Sequence, residues 1–324
     1  MGEFDIIGRY FDRGPARRVD LGVGDDCALL GASVSDQRAI TTDMLVAGRH
    51  FFADVDPRSL GHKALAVNLS DLAAMGARPE AFTLAIALPA FEPQWLDAFA
   101  AGLFSLADAE GCELIGGDTT RGPLCISITA IGRLPAGSAL RRDGDQPGDD
   151  VWVSGALGGA AAVVAMRAGQ LAGRDATHLP ETLALRLDWP QPRLALGTEL
   201  RHLASAAIDV SDGLLADLGH IADRSRLALQ LQAERVPVDP SLSALGAARA
   251  LDFALAGGDD YELAFAAPAE NRLAIEALGA RLGLPLSRIG VALAGEGVSV
   301  ADAHGRPVAV TARGFDHFAG EPQH

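Results

Sequence analysis

Six short segments repeat one arrangement along the 324-residue chain: an apolar run, then small residues, then aspartate. They are Gly24-Asp25-Asp26, Thr41-Thr42-Asp43, Asn68-Leu69-Ser70-Asp71, Gly116-Gly117-Asp118-Thr119, Asp209-Val210-Ser211-Asp212-Gly213 and Gly257-Gly258-Asp259-Asp260. Any one of them alone reads equally well as a turn, a helix cap or a solvated loop. Two carboxylates brought to ~4 Å repel by ~4 kcal/mol at an effective dielectric of about 20, so a site shared by several needs a cation. Magnesium takes oxygen ligands, typically one or two carboxylates, several waters and the oxygens of a bound phosphate. Six recurrences of one pattern point to several Mg2+ ions held against a polyphosphate.

Other chemistries lack their residues. The eight histidines show no His-x-x-x-His or His-Glu-x-x-His spacing, which argues against zinc. Lys63 is the only lysine, and neither a P-loop nor a protein-kinase signature is present. Any Schiff base would rest on Lys63 alone. Cys27, Cys112 and Cys125 are scattered and read as small apolar residues in a reducing compartment. A formal charge of −15 argues against nucleic acid or an anionic membrane as partner. The start Met-Gly-Glu-Phe-Asp-Ile has no charged-then-apolar leader, and the longest apolar run, Ala81–Ala90, is far short of a membrane span. The expectation is a cytoplasmic protein.

The elements that must position the aspartates follow from apolar periodicity. Phe4, Ile7 and Phe11 predict a short amphipathic helix over Glu3–Phe11. Arg38–Asp43 reads as a strand that ends in the second aspartate motif. Asp56-Pro57 is a cap and first-turn pair, opening a helix that runs to a stop at Gly76 and carries Asn68 and Asp71. Phe82–Leu88 reads as a buried strand, Trp95–Ala109 as a helix, Glu113–Ile115 as a short strand delivering Asp118, and Leu124–Ile131 as a half-buried strand. Leu134–Asp150 has no periodicity and reads as a linker, dividing the chain into domains 1–137 and 138–324. In the second domain, strands are expected at Val151–Ser154, Ala206–Val210, Leu227–Gln232, Tyr261–Ala266, Arg288–Leu293 and Gly297–Val300. Helices are expected after Gly155–Gly159 and Pro192, and over Leu214–Arg224, Ser241–Ala254 and Ala269–Leu282. The class is α+β, with too many adjacent strands for a purely doubly wound sheet.

Taken in order, Gly22-Val23-Gly24-Asp25-Asp26-Cys27-Ala28, Thr41-Thr42-Asp43-Met44, the run Asn68–Ala77, Gly116-Gly117-Asp118-Thr119-Thr120, Ile208–Leu214, Gly257–Leu263 and the closing Gly314-Phe315-Asp316-His317-Phe318 resemble the thiamine-monophosphate kinase family. Aminoimidazole ribonucleotide synthetase, selenophosphate synthetase and a hydrogenase maturation protein share that family's wider architecture but not this full set of motifs. The resemblance implies a two-domain fold of the aminoimidazole ribonucleotide synthetase type, whose N-terminal sheets pair in a homodimer. It implies direct in-line transfer of the ATP γ-phosphoryl group to thiamine monophosphate, with no catalytic side chain beyond the metal ligands. Position by position, Asp26, Thr41, Thr42, Asp43, Asp71, Asp118, Asp209 and Asp212 match the family's magnesium ligands. Gly117, Asp118, Arg142 and Ser211 match its ATP contacts, and His50, Asp259 and Phe315 its contacts to thiamine phosphate. Asp259 stands where members often carry Glu, and Phe315 where they carry Trp or Tyr. From the residues alone, Arg142 reads equally as a solvated linker arginine and His50 as a half-buried structural histidine. The acceptor is itself an ionised phosphate, so the reaction needs positioning and charge neutralisation more than a general base.

Overall fold

The computed structural model describes residues 28–31, 35–171 and 179–308. The helix expected over Glu3–Phe11, the junction that carries Asp26, and Phe315 lie outside the described residues. The first half builds a five-stranded sheet from β1 (Ala28–Gly31), β2 (Asp36–Val46), β3 (Arg78–Leu88), β4 (Glu113–Arg121) and β5 (Cys125–Pro135), in the order β1-β2-β5-β3-β4. Its neighbours are antiparallel except β3 and β4, which run parallel. Along β5 the alternation read from sequence appears as Ile126, Ile128, Ala130 and Leu134 turned inward and their neighbours outward.

Against the inner face lies the helix that organises the molecule, α1 (Pro57–Ala74). The Asp56 side chain caps it by accepting from Arg58 N at 3.1 Å, and Pro57 occupies the first turn. Almost every side chain of α1 is buried, the polar His62, Lys63 and Asn68 included, because the helix is enclosed on all sides. It packs on α2 (Pro93–Glu110), on β2 and β5, and on elements of the second half.

The second half supplies a six-stranded sheet from β6 (Asp150–Ser154), β7 (Ala206–Asp209), β8 (Ala228–Gln232), β9 (Leu263–Ala267), β10 (Leu286–Leu293) and β11 (Gly297–Ala301), ordered β11-β8-β10-β6-β9-β7. Within it β8 and β11 pair in parallel and the other neighbours antiparallel, so the sheet is mixed. Around it lie α3 (Gly159–Arg167), α4 (Ala184–Asp188), α5 (Leu194–Leu200), α6 (Leu214–Ser225), α7 (Ala247–Ala256) and α8 (Arg272–Leu282). One apolar core joins the halves: Leu65, Leu72 and Phe82 share it with Trp152, Leu196 and Phe265. Each such fully buried side chain contributes about 1.5–3 kcal/mol relative to exposure, so the two sheets are fixed to one another through α1. Among the described residues, no helix is long and apolar enough to cross a membrane.

Three expectations are corrected. Glu113–Ile115 is not a short strand with a loop after it. Parallel pairing with β3 carries the strand through Gly116-Gly117-Asp118-Thr119-Thr120 to Arg121, a tertiary effect that local propensity does not encode. The linker read over Leu134–Asp150 begins later, because β5 runs through Pro135, and it is packed, with Leu140, Asp145 and Asp149 buried. The single helix over Ser241–Ala254 is two pieces, a 3-10 turn over Pro240–Leu245 and then α7, because Gly246 breaks the run at φ +83°.

Candidate active site

A cleft of about 880 Å³ runs between the two sheets. Every fourth residue on one stripe of α1 faces it, Ser59, Lys63, Val67 and Asp71. Asp43 comes from within β2, which does not end there as expected but pairs with β5 on to Val46, and the turn that carries His50 follows. From the second half come Asp209, at the end of β7, the loop residues Ser211 and Asp212, and Gly257-Gly258-Asp259 with Tyr261. Residues 43, 71, 209, 212 and 259, distant in sequence, thus meet in one place.

Side-chain contacts set their positions. Thr41 points inward and donates its hydroxyl to Asp71 Oδ2, fixing that carboxylate against β2. Asp43 N donates to Asn68 Oδ1 at 3.1 Å, tying β2 to α1. Ser70 donates to Asp209 Oδ2 at 2.8 Å, a buried bond from α1 to β7. The loop after β7 is wrapped around Asp217 in the first turn of α6, whose Oδ2 accepts from the N–H groups of Ser211, Asp212 and Gly213 at 3.0, 3.1 and 3.1 Å. Burial, and then the charge of Asp212, push the Asp217 carboxyl well above its ordinary range, against the pull of those N–H groups and Arg142.

The second loop docks on the first. Asp259 N donates to Ser211 O at 2.8 Å and Tyr261 N to Val210 O at 2.8 Å. A Cβ on Gly258 would lie 2.3 Å from Ser211 O, so only glycine permits this approach. Asp259 and Tyr261 take φ of +68° and +50°, conformations that non-glycine residues adopt only when their surroundings impose them. Lys63 Nζ reaches Asp259 Oδ1 at 2.8 Å, and Tyr261 OH donates to the same oxygen at 3.2 Å. Burial and the nearby charges of Asp259, Asp43 and Asp209 push the Tyr261 hydroxyl well above its ordinary value, keeping it a neutral donor. Beneath the loop, buried Glu262 is held by Arg193 in a two-pronged contact and by Ser154 Oγ at 2.5 Å.

The sequence-predicted residues are therefore distributed as follows. Asp43, Asp71, Asp209, Asp212, Ser211, His50 and Asp259 line the cleft. Thr41 and Thr42 stand on opposite faces of β2: the Thr41 side chain is buried behind Asp71, whereas Thr42 Oγ1 lies 2.8 Å from Thr129 Oγ1 on the outer face. Gly117 and Asp118 sit on the exposed edge strand β4, outside the cleft wall. Arg142 lies on the connection between the halves, where its carbonyl accepts from Ser225 Oγ at 2.8 Å and its charge acts on Asp217. The His50 ring accepts from Val46 N at Nδ1, 2.9 Å, which leaves the proton on Nε2. Lys63, Tyr261, Ser70 and Asp217 escape the sequence reading. The i, i+4 stripe that carries Lys63 and an acid in the first turn of α6 are the signals that could have found two of them.

Among the described residues no three metal-ligating side chains surround a single point closely enough to enclose an ion. The carboxylates that line the cleft are oxygen donors, the kind magnesium takes together with water and phosphate.

Comparison with known proteins shows the family. Residues 24–134 match the family model of the AIR synthase related protein N-terminal domain, and residues 146–303 that of the corresponding C-terminal domain. A thiamine-monophosphate kinase of Salmonella typhimurium is 46% identical over 323 residues, 98% of each chain. The crystal structure of thiamine-monophosphate kinase from Stenotrophomonas maltophilia superposes with a TM-score of 0.79 at 48% identity, covering 94% of this chain and 96% of that one. A structure of AaThiL complexed with AMPPCP and TMP superposes at 0.81 with 28% identity, covering 98% and 97%. The chain belongs to the AIR synthase related proteins and, within them, to the thiamine-monophosphate kinase family.

Proposed function

We propose that this protein transfers the γ-phosphoryl group of ATP to thiamine monophosphate, giving thiamine diphosphate and ADP. The observation that carries the reading is the meeting of Asp43, Asp71, Asp209 and Asp212 in one cleft of a chain 46% identical to a thiamine-monophosphate kinase. Their carboxylates, with Asp26 and Asp118, would hold Mg2+; once bound, it neutralises the β- and γ-phosphate oxygens and the acceptor phosphate. Thr41 holds Asp71 and Ser70 holds Asp209 in place, so the donors are fixed before substrate arrives. Asp217 keeps the Ser211–Gly213 loop folded around its carboxylate, presenting Ser211 and Asp212 to the nucleotide side. Arg142, Gly117 and Asp118 match the family's ATP contacts, but Gly117 and Asp118 stand on β4 outside this cleft and would reach the nucleotide only from a partner copy of the chain. At the acceptor side, His50 Nε2–H and Asp259 contact thiamine phosphate, with Phe315 supplying a stacking face.

We assign a second copy of the chain to the outer face of the first sheet. There Met44 and Ile115 are 58% and 57% exposed, beside Thr42 and Thr129, and β4 is open along its length. The buried free thiol of Cys112 fits a reducing, cytoplasmic compartment. The test is product analysis of the wild-type protein with ATP, Mg2+ and thiamine monophosphate. Equimolar thiamine diphosphate and ADP are expected; ADP release without thiamine diphosphate, or turnover only on an aminoimidazole-type substrate, overturns the reading.

A further inference from the structure

The one lysine of the chain lies in the cleft between the acidic end and the apolar end. Lys63 is eight residues before Asp71 on the same stripe of α1, about 12 Å along the axis. The lining also includes Val55, Leu60, Phe51, Phe52 and Phe253, with the Arg167 guanidinium over the Phe52 ring at 5.9 Å. Its side chain is only 6% exposed, and a buried ammonium is costly without a partner. The partner is Asp259, 196 residues away in the other half and 30% exposed to the cleft. Lys63 and Tyr261 both donate to Oδ1, which pins the carboxylate by one edge. Backbone bonds to Ser211 and Val210 hold Asp259 and Tyr261 at positive φ. A carboxylate held from both halves, in a strained backbone, at the boundary between the charged and apolar parts of a cleft, is placed for a ligand.

We propose that Lys63 is a positioning residue for the phosphoryl acceptor, acting through Asp259. The inference rests on the kinase reading. Thiamine monophosphate brings a phosphate to the acidic end and a cationic, amino-bearing ring system to the apolar end. Asp259 attracts the rings but, unpaired, repels the phosphate. Lys63 fixes which way the carboxylate faces and cancels the part of its charge that would act on the phosphate.

The test compares wild type, K63M, K63R, D259N, K63M/D259N and Y261F for thiamine diphosphate formation and thermal midpoint. K63M is expected to raise KM for thiamine monophosphate about tenfold, with KM for ATP within about twofold. K63R restores most of the loss, and Y261F, which removes the second donor, raises the same KM about threefold. K63M/D259N is no worse than D259N alone, because the lysine acts through the aspartate. An unchanged KM for thiamine monophosphate in K63M with a lowered midpoint would make the pair purely structural and overturn the proposal, as would multiplicative effects of K63M and D259N. If K63M does not fold, Y261F and D259N decide the matter by the same KM criterion. Failure of the wild type to make thiamine diphosphate would overturn the kinase reading and this inference with it.

Discussion

Replacing Gly258 by alanine tests whether the two loops of the second half act as one unit. The added Cβ would lie 2.3 Å from Ser211 O, and that oxygen already accepts from Asp259 N at 2.8 Å. Main chain sits on both sides, so no flexible side chain can yield. Separating the loops gives up the Asp259–Ser211 bond, about 0.5–1.5 kcal/mol, and imposes overpacking of about 1–3 kcal/mol, for a total of about 1.5–4.5 kcal/mol. The same wedge moves Asp212 on one loop and Asp259 on the other. A displacement near 1 Å in a positioned site costs on the order of a hundredfold in rate. Urea unfolding should therefore show the stability loss, and a thiamine diphosphate assay at a temperature where the variant remains folded should show the rate loss. Gly219 is the control: it lies within α6 with nothing within 4 Å of an added methyl, so alanine there should be neutral or stabilise by up to about 1 kcal/mol. Wild-type stability and rate in G258A would refute the loop-on-loop account.

Two further outcomes follow from buried polar groups. Ser70→Ala removes the α1 hydroxyl that donates to Asp209 Oδ2 and should cost about 1.5–3 kcal/mol by urea unfolding, with a fall in kcat that Gly219→Ala does not show. Asp145 is 2% exposed, and burial, then the charge of Asp149 and contact with its carboxylate, raise its pKa to about 7 against the pull of the Gln146 N–H. The fold thus favours the protonated acid, and stability should fall as pH rises from about 4 through 7, by up to about 4 kcal/mol. Asp145→Asn should flatten that part of the stability-against-pH curve; parallel curves for the two proteins would contradict it.

Much of the framework is legible in the sequence because its signals are local. Asp56-Pro57 announces α1, and the alternation of Ile126, Ile128 and Ala130 announces β5. Among the described residues the aspartate motifs after β7 and before β9 lie at element ends, whereas those in β2 and β4 lie within their strands. What is not legible depends on partners far along the chain. β4 is extended by β3, and the buried connection at Leu140 takes its place from the core between the halves. Lys63 and Asp259 are 196 residues apart, Ser70 and Asp209 139 apart, and no periodicity links either pair. Thr41 and Thr42 form one motif in the sequence, yet the two-residue period of a strand sends their side chains to opposite faces.

The central claim is that carboxylates from both halves jointly hold the metal-bound phosphates. It is tested most directly by Asp71→Asn and Asp212→Asn, one from each side of the cleft, assayed for thiamine diphosphate across a Mg2+ titration, with circular dichroism and thermal midpoint confirming the fold. The account predicts near-complete loss of turnover in both, on the order of a hundredfold or more at any Mg2+ concentration. Near-wild-type turnover in either variant would contradict it.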